Sequence, residues 1–222
     1  MEHTMLSTDY YKLLNEQFTS AEELSKQKSA KGFLGQEILR FTTIAGTLLG
    51  NMKPDGQFVL DDSASVDERY ITHPLIRSLL ENFFKIIYIF DDSESESERF
   101  EKAVNGFKED YRKLFNDLNQ DAWKDFMDKY HDSLQTPNSA WTKLSRLKNI
   151  NDMLNELRNN DGNKLQYLYP LYRITSFDTH GNSLNVFFEE TFDVSCNFPI
   201  IDIKFALNLM ASEYFELLEK HK

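Results

Sequence analysis

The chain has 222 residues, 41% hydrophobic and 27% charged, with eighteen Phe and ten Tyr against eight Gly and five Pro. That length buries a substantial core, and the excess of large side chains over turn-formers predicts helices packed through aromatic residues. A net charge of −11 argues against a protein that coats nucleic acid through a broad basic surface, although it leaves room for a small local phosphate site.

Residues 1–30 predict two short helices, the first capped by Ser7 or Thr8 and the second opened by a Ser20–Glu23 capping box. Over residues 33–49, Leu34, Ile38, Phe41, Ala45 and Leu48 are spaced four, three, four and three, which is one apolar helix face. Pro54-Asp55-Gly56 marks a turn within a loop from Asn51 to Asp62. A Ser65–Glu68 capping box opens the next helix, and Pro74 either kinks it or restarts it at a first turn. Beyond Pro74, Leu75, Ile76, Leu79, Leu80, Phe83, Phe84, Ile86 and Ile87 cover most of the circumference, so this helix belongs at the centre of its bundle. Arg77, Glu81 and Lys85 recur every four residues as its polar stripe.

The acidic run Asp91–Glu98 reads as a loop leading into a Ser95–Glu98 capping box, with acids well placed at a helix N-terminus. Helices are predicted from about 96 to 118 and from 120 to 133, the second carrying Trp123, Phe126 and Tyr130, and Pro137 lies in a connector. Trp141, Leu144, Leu147, Ile150, Leu154 and Leu157 predict another amphipathic helix, ending at Asn159-Asn160-Asp161-Gly162. A helix from about 164 to 180 follows. Pro170 leaves open whether the residues before it form a separate turn, and Gly181-Asn182 is its stop. Asn182–Phe198 is the least helical part, with Val186-Phe187-Phe188 and Phe192-Asp193-Val194 as short extended pieces. A last helix covers about 199–220.

The expectation is therefore all-α: one domain over 1–222, a bundle of seven to eight helices with a short irregular segment before the last. The N-terminus is neither basic nor followed by an apolar run, and the most apolar window, Leu75–Phe90, is too short for a bilayer and contains Arg77, Glu81 and Lys85. One cysteine, Cys196, excludes an internal disulfide framework and reads as a small buried hydrophobe. A cytoplasmic protein without membrane contact is expected.

Metal and cofactor signatures are missing. There is no His-Glu-x-x-His, Glu-x-x-His or cysteine cluster, and Asp128 with His131 has only the spacing of many surface pairs. Gly32-Phe-Leu-Gly35 lacks the Lys-Ser/Thr of a phosphate loop and a preceding strand, and no Gly-x-Ser-x-Gly elbow occurs. What remains is the run from Tyr169 to Ser183. In a helix, Arg173 and His180 are rotated by only ~20° relative to each other, with Ser176 between them. A cation, a hydroxyl and an imidazole then line one face. The bland alternative is a solvated Arg173 and a His180 that caps its helix end. Arg77 and Glu81 in an otherwise apolar helix must either face solvent or meet another polar stripe, for which the Ser176–His180 face is the natural candidate.

Arg77-Ser-Leu-Leu-Glu81 on a central helix, Trp141, and then Leu-Tyr-Pro-Leu-Tyr-Arg-Ile-Thr-Ser-Phe-Asp-Thr-His-Gly together resemble a family of bacterial helical proteins typified by Arg-x-x-x-Glu followed by Tyr…Ser-x-x-x-His. Through it the chain is similar, over about residues 66–183, to the HEPN superfamily: helical bundles, often dimeric, often metal-independent RNases carrying Arg-x4–6-His, and found in toxin–antitoxin and phage-defence systems. The resemblance implies Arg173 and His180 as the catalytic pair with Ser176 beside them, and Arg77, Glu81, Tyr169 and Tyr172 in binding or supporting roles. Glu81 would fix Arg173 or Arg77, and Ser176 would orient the imidazole or the phosphate. It also implies an RNA substrate, a homodimer, and a protein antitoxin as partner. A second expectation, from a different class, is a non-catalytic binding or assembly module in which Arg77–Glu81 and Ser176–His180 form a buried structural network.

Overall fold

A computed structural model of the protein describes residues 8–54, 58–59, 68–157, 162–180, 184–194 and 202–222, with backbone only for 162–167 and 184–185. The protein is all-α. Among the described residues it has ten α-helices, more than the seven to eight expected: α1 (Tyr10–Glu16), α2 (Phe18–Ser25), α3 (Ala30–Gly50), α4 (Arg69–Phe90), α5 (Glu96–Leu118), α6 (Lys124–Tyr130), α7 (Ile150–Asn155), α8 (Gly162–Thr179), α9 (Leu184–Phe192) and α10 (Ile203–His221). Among the described residues the extended structure amounts to one isolated bridge, Met52 to Phe58. The chain gathers into two compact units, Met1–Ile87 with Arg158–Lys222, and Tyr88–Leu157.

In the first unit the predicted faces are the buried ones. Leu34, Ile38, Phe41, Ala45 and Leu48 of α3 are fully enclosed, as are Ile76, Leu79, Leu80, Phe83, Phe84 and Ile86 of α4. Each large side chain removed from water contributes ~1.5–3 kcal/mol. Tyr214 of α10 joins the two faces, with its ring centroid 5.1 Å from Phe41 and 5.5 Å from Phe83. Burial raises the Tyr214 phenol well above its ordinary value. Gly32 and Gly35 let α2 and its exit approach α3: a Cβ on Gly35 would stand 2.5 Å from the Ser25 nitrogen, and one on Gly32 only 1.8 Å from the Gln27 carbonyl oxygen.

Several local expectations are overturned. α1 is capped by Asp9, whose carboxylate accepts from the Lys12 N–H at 3.0 Å. The distant Asn208 carbonyl oxygen takes the Tyr10 and Tyr11 N–H groups at 2.7 and 3.2 Å. α2 starts at Phe18 with Ser20 already inside it, so no Ser20–Glu23 box forms. Ser95 precedes α5 but makes no capping bond: its backbone is already in the helical region (φ −100°, ψ −4°) instead of the extended one a cap needs, and its hydroxyl donates to the Asp92 carboxylate at 2.8 Å. Pro74 and Pro170 both lie inside continuous helices. Each removes one backbone bond, and buried neighbours on either side (Thr72 and Ile76, Leu168 and Leu171) hold the helix through it. Ser65, Gly181-Asn182, Ser183 and Cys196 lie outside the described residues.

The second unit departs further. The 120–133 pattern breaks into 3-10 turns at Asp121–Trp123 and His131–Ser133 around the short α6, with Trp123, Phe126 and Tyr130 exposed. The helix expected over Trp141–Leu157 is only α7, preceded by a 3-10 turn, Ser139–Lys143. Leu144 (φ −72°, ψ 139°) and Asn149 (φ −66°, ψ 163°) have polyproline-like backbone angles, a conformation that repeats every three residues. Trp141, Leu144, Leu147 and Ile150 are each more buried than the residues between them, so the three-residue spacing is used without one continuous helix.

Between α8 and α10 the correction runs the other way, since Val186-Phe187-Phe188 is helical. The Phe188 and Phe192 rings, four residues apart, meet at 5.2 Å, an i,i+4 pairing that only a helix supplies. Asp193, at φ 54°, ends α9 in the left-handed region.

Candidate functional site

Side chains of α4 meet side chains of α8 in antiparallel register, and polar residues fill half of this seam. The Arg77 Nη1 donates to the Tyr172 carbonyl oxygen at 2.8 Å and to the Ser176 hydroxyl, while Nη2 donates to the Tyr172 phenol oxygen at 2.7 Å. The guanidinium carbon lies 3.4 Å from the centroid of the Tyr172 ring, a cation–π stack. The Ser176 hydroxyl in turn donates to the Tyr172 carbonyl at 2.8 Å. Tyr172 stacks on Tyr169 at 6.0 Å and meets Phe84 edge-on at 5.8 Å, so the polar seam passes directly into the aromatic core. Burial is the main cause that pushes the Tyr172 phenol above its ordinary 10.0, and the hydroxyl keeps its proton.

One turn toward the start of α4, the His73 Nδ1 and an Asp178 carboxylate oxygen lie 2.5 Å apart, with both side chains more than nine-tenths buried. Sequence reasoning missed this pair. The signal was present in part: His73 is four residues before Arg77 and so shares its helix face. Asp178 carries no such mark. It stands beside exposed Phe177 and Thr179 in sequence, and only the approach of α4 encloses it.

The expected residues divide. Arg77, Ser176, Tyr169 and Tyr172 come together in the seam. Glu81 does not join them: its carboxylate pairs with Lys85 at 3.1 Å, one turn onward, in place of the expected Arg173 or Arg77. Ser176 bonds to Arg77 rather than to His180, because the bound guanidinium occupies its lone pair and the Tyr172 carbonyl takes its proton. Arg173 and His180 share the outer face of α8, both exposed, with exposed Phe177 between them. The His180 backbone N–H closes the last turn onto the Ser176 and Phe177 carbonyls at 3.2 Å each, which holds the imidazole at the helix end.

Elsewhere the concave surface is acidic. A cavity of about 490 Å³ in the second unit is lined by Asp121, Asp128 and Asp132 with Lys124 and His131. Such walls repel a phosphate. Asp128 and His131 thus share a cavity, yet among the described residues no group of three or more His, Cys, Asp or Glu side chains stands ready to hold a metal ion. Among them too, no helix is long and apolar enough to cross a membrane.

Fold and seam define a helical protein whose polar residues concentrate where two core helices touch. Residues 66–193, more than half of the chain and the whole of α4 through α9, match the model of a family of unknown function (DUF5677), and the chain belongs to that family. No curated protein and no solved structure matches it.

Proposed function

We propose that the protein is a metal-independent, HEPN-like endoribonuclease acting in the cytoplasm, with a role in a toxin–antitoxin or phage-defence system. The observation that carries this reading is that Arg173 and His180 lie on the same exposed face of α8, open to a large substrate, while Arg77 of α4 bonds to Tyr172 and Ser176 of the same helix. In the reaction a ribose 2′-oxygen attacks the adjacent phosphorus and the bond to the 5′-oxygen breaks. The products are a 2′,3′-cyclic phosphate and a free 5′-hydroxyl. His180 takes the 2′-hydroxyl proton or gives one to the departing 5′-oxygen. Arg173 stabilises the charge that builds on the pentacoordinate phosphate.

A second copy of the chain fits this reading. Phe177 on α8 and Val186, Phe187 and Phe192 on α9 are exposed beside the catalytic pair and supply apolar surface for it. A homodimer through this face doubles the local cations in an acidic protein, and a protein antitoxin would compete for the same surface.

His180→Ala should lower cleavage of a single-stranded RNA by at least about a hundredfold, the scale of one proton-transfer group, with the far-ultraviolet dichroism unchanged. DNA of the same sequence should be inert because it has no 2′-hydroxyl. Cleavage by the variant at the original rate, or equal cleavage of DNA, overturns the mechanism. The non-catalytic module has one observation in its favour, namely that the Arg77, Ser176 and Tyr172 side chains bond to one another across two helices. That reading expects no cleavage from any purified oligomer.

A further inference from the structure

Arg77 is a cation served only by neutral acceptors. Its bonds go to a carbonyl, a hydroxyl and a phenol, and among the described residues no carboxylate lies within ion-pair distance. A guanidinium has five N–H donors. The three bonds above leave the Nε–H and one of the two Nη2–H groups. Nε and Nη2 are the nitrogens with which Arg112 grips both oxygens of Glu109, at 2.8 and 2.9 Å. Beside it, the Tyr172 hydroxyl accepts from Arg77, so its own proton remains to be donated. Glu81, the nearest acid along α4, is paired with Lys85, although its charge still reaches the Tyr172 phenol. Arg173 adds a further exposed cation one residue from Tyr172. A partly desolvated charge with open donors and no counter-ion favours an anion from outside.

We infer that Arg77 and the Tyr172 hydroxyl form a phosphate-binding subsite, with Ser176 as the positioning residue that turns the guanidinium, and that the phosphate it takes is a backbone phosphodiester of RNA. The RNA source rests on the ribonuclease reading; the phosphate chemistry does not. The remaining Arg77 donors and the Tyr172 hydroxyl proton are the groups that would bond the non-bridging oxygens of one phosphate. The site grips the strand next to the scissile bond and leaves the chemistry to Arg173 and His180.

The test titrates the full chain with inorganic phosphate by phosphorus NMR, and with a 2′-O-methyl RNA, which the 2′-hydroxyl route cannot cleave, by calorimetry. Arg77→Met should weaken both by about tenfold or more, the value of a hydrogen bond to a charged group. Tyr172→Phe, which keeps the ring under the guanidinium, should weaken both by about threefold, the lower end for one hydrogen bond. If Arg77→Met does not fold, Tyr172→Phe decides alone. Weakening of phosphate but not of the RNA keeps the site and overturns the strand as its ligand. Unchanged binding of both, or no binding to the original protein, overturns the subsite. Cleavage that survives His180→Ala while phosphate binding is lost in Arg77→Met removes the nuclease chemistry and leaves this site standing. The opposite pattern does the reverse.

Discussion

Arg77 in the first unit and Arg99 in the second are built alike and finished differently. Each guanidinium lies over a tyrosine ring, 3.4 Å from the Tyr172 centroid and 4.1 Å from that of Tyr88, and each donates to that same tyrosine's carbonyl oxygen, at 2.8 and 2.5 Å. Around Arg99 the charges are closed off. Asp91, its side chain wholly buried, stands 3.5 Å away, and the Tyr88 hydroxyl donates to Glu156 at 2.7 Å, which Lys148 also pairs with. Around Arg77 the other groups are hydroxyls. Burial explains the contrast. An enclosed cation without a counter-ion is too costly to keep, so Arg99 needs Asp91, whereas half-buried Arg77 survives on neutral acceptors and keeps binding capacity. Similar local geometry thus serves stability in one unit and leaves a site open in the other.

The largest effect expected from this contrast is in the second unit. Arg99→Met strips the cation from buried Asp91 and should cost ~3–5 kcal/mol in urea unfolding. Arg77→Met removes bonds to neutral groups, of which the Tyr172 carbonyl and the Ser176 hydroxyl keep each other as partners, and should cost only ~1–2 kcal/mol in the same measurement. Equal losses in the two variants would break the comparison. A smaller effect is pH dependence. Lys148 first, and then the Tyr88 hydroxyl, hold the Glu156 carboxyl below its ordinary 4.5, and Arg112 does the same for Glu109. A depressed carboxyl contributes stability that is fully present above 4.5 and is lost as pH falls through the lower folded value. Glu156→Gln should therefore flatten the acid limb of a stability-against-pH curve just below 4.5 and leave the neutral limb parallel to the original. An unchanged acid slope would mean that the Glu156 contacts are absent in solution.

How much of this could be read in advance varies by element. α3 and α4 were legible because their apolar residues repeat at helical spacing and the same faces are buried in the structure. The stretch from Trp141 to Ile150 was misread because a three-residue repeat suits a polyproline-like strand nearly as well as a helix. α9 was missed because Val and Phe side by side favour extended chain, while its helix rests on rings that meet four residues apart. In the site, Arg77, Ser176 and Tyr172 stood out as polar residues on apolar helices. The partners did not: Glu81 had Arg77 and Lys85 equally spaced on either side, and spacing alone could not say which it would choose.

Local periodicity, side-chain size and charge therefore determined the all-α class, the apolar faces of α3 and α4 and the shared helix face of Arg173 and His180, since these follow from dihedral geometry and hydrophobic patterning along one segment; that this last face is exposed was decided by packing. Only the tertiary structure decided that His73 meets Asp178, that Asn208 closes the start of α1 and that Arg77 bonds to neutral acceptors, with no carboxylate partner among the described residues. Each of those depends on which distant helix arrives alongside, in what register and how completely it shuts out water. A side chain's bonding partner across two helices is a property of their packing, and no single helix encodes it.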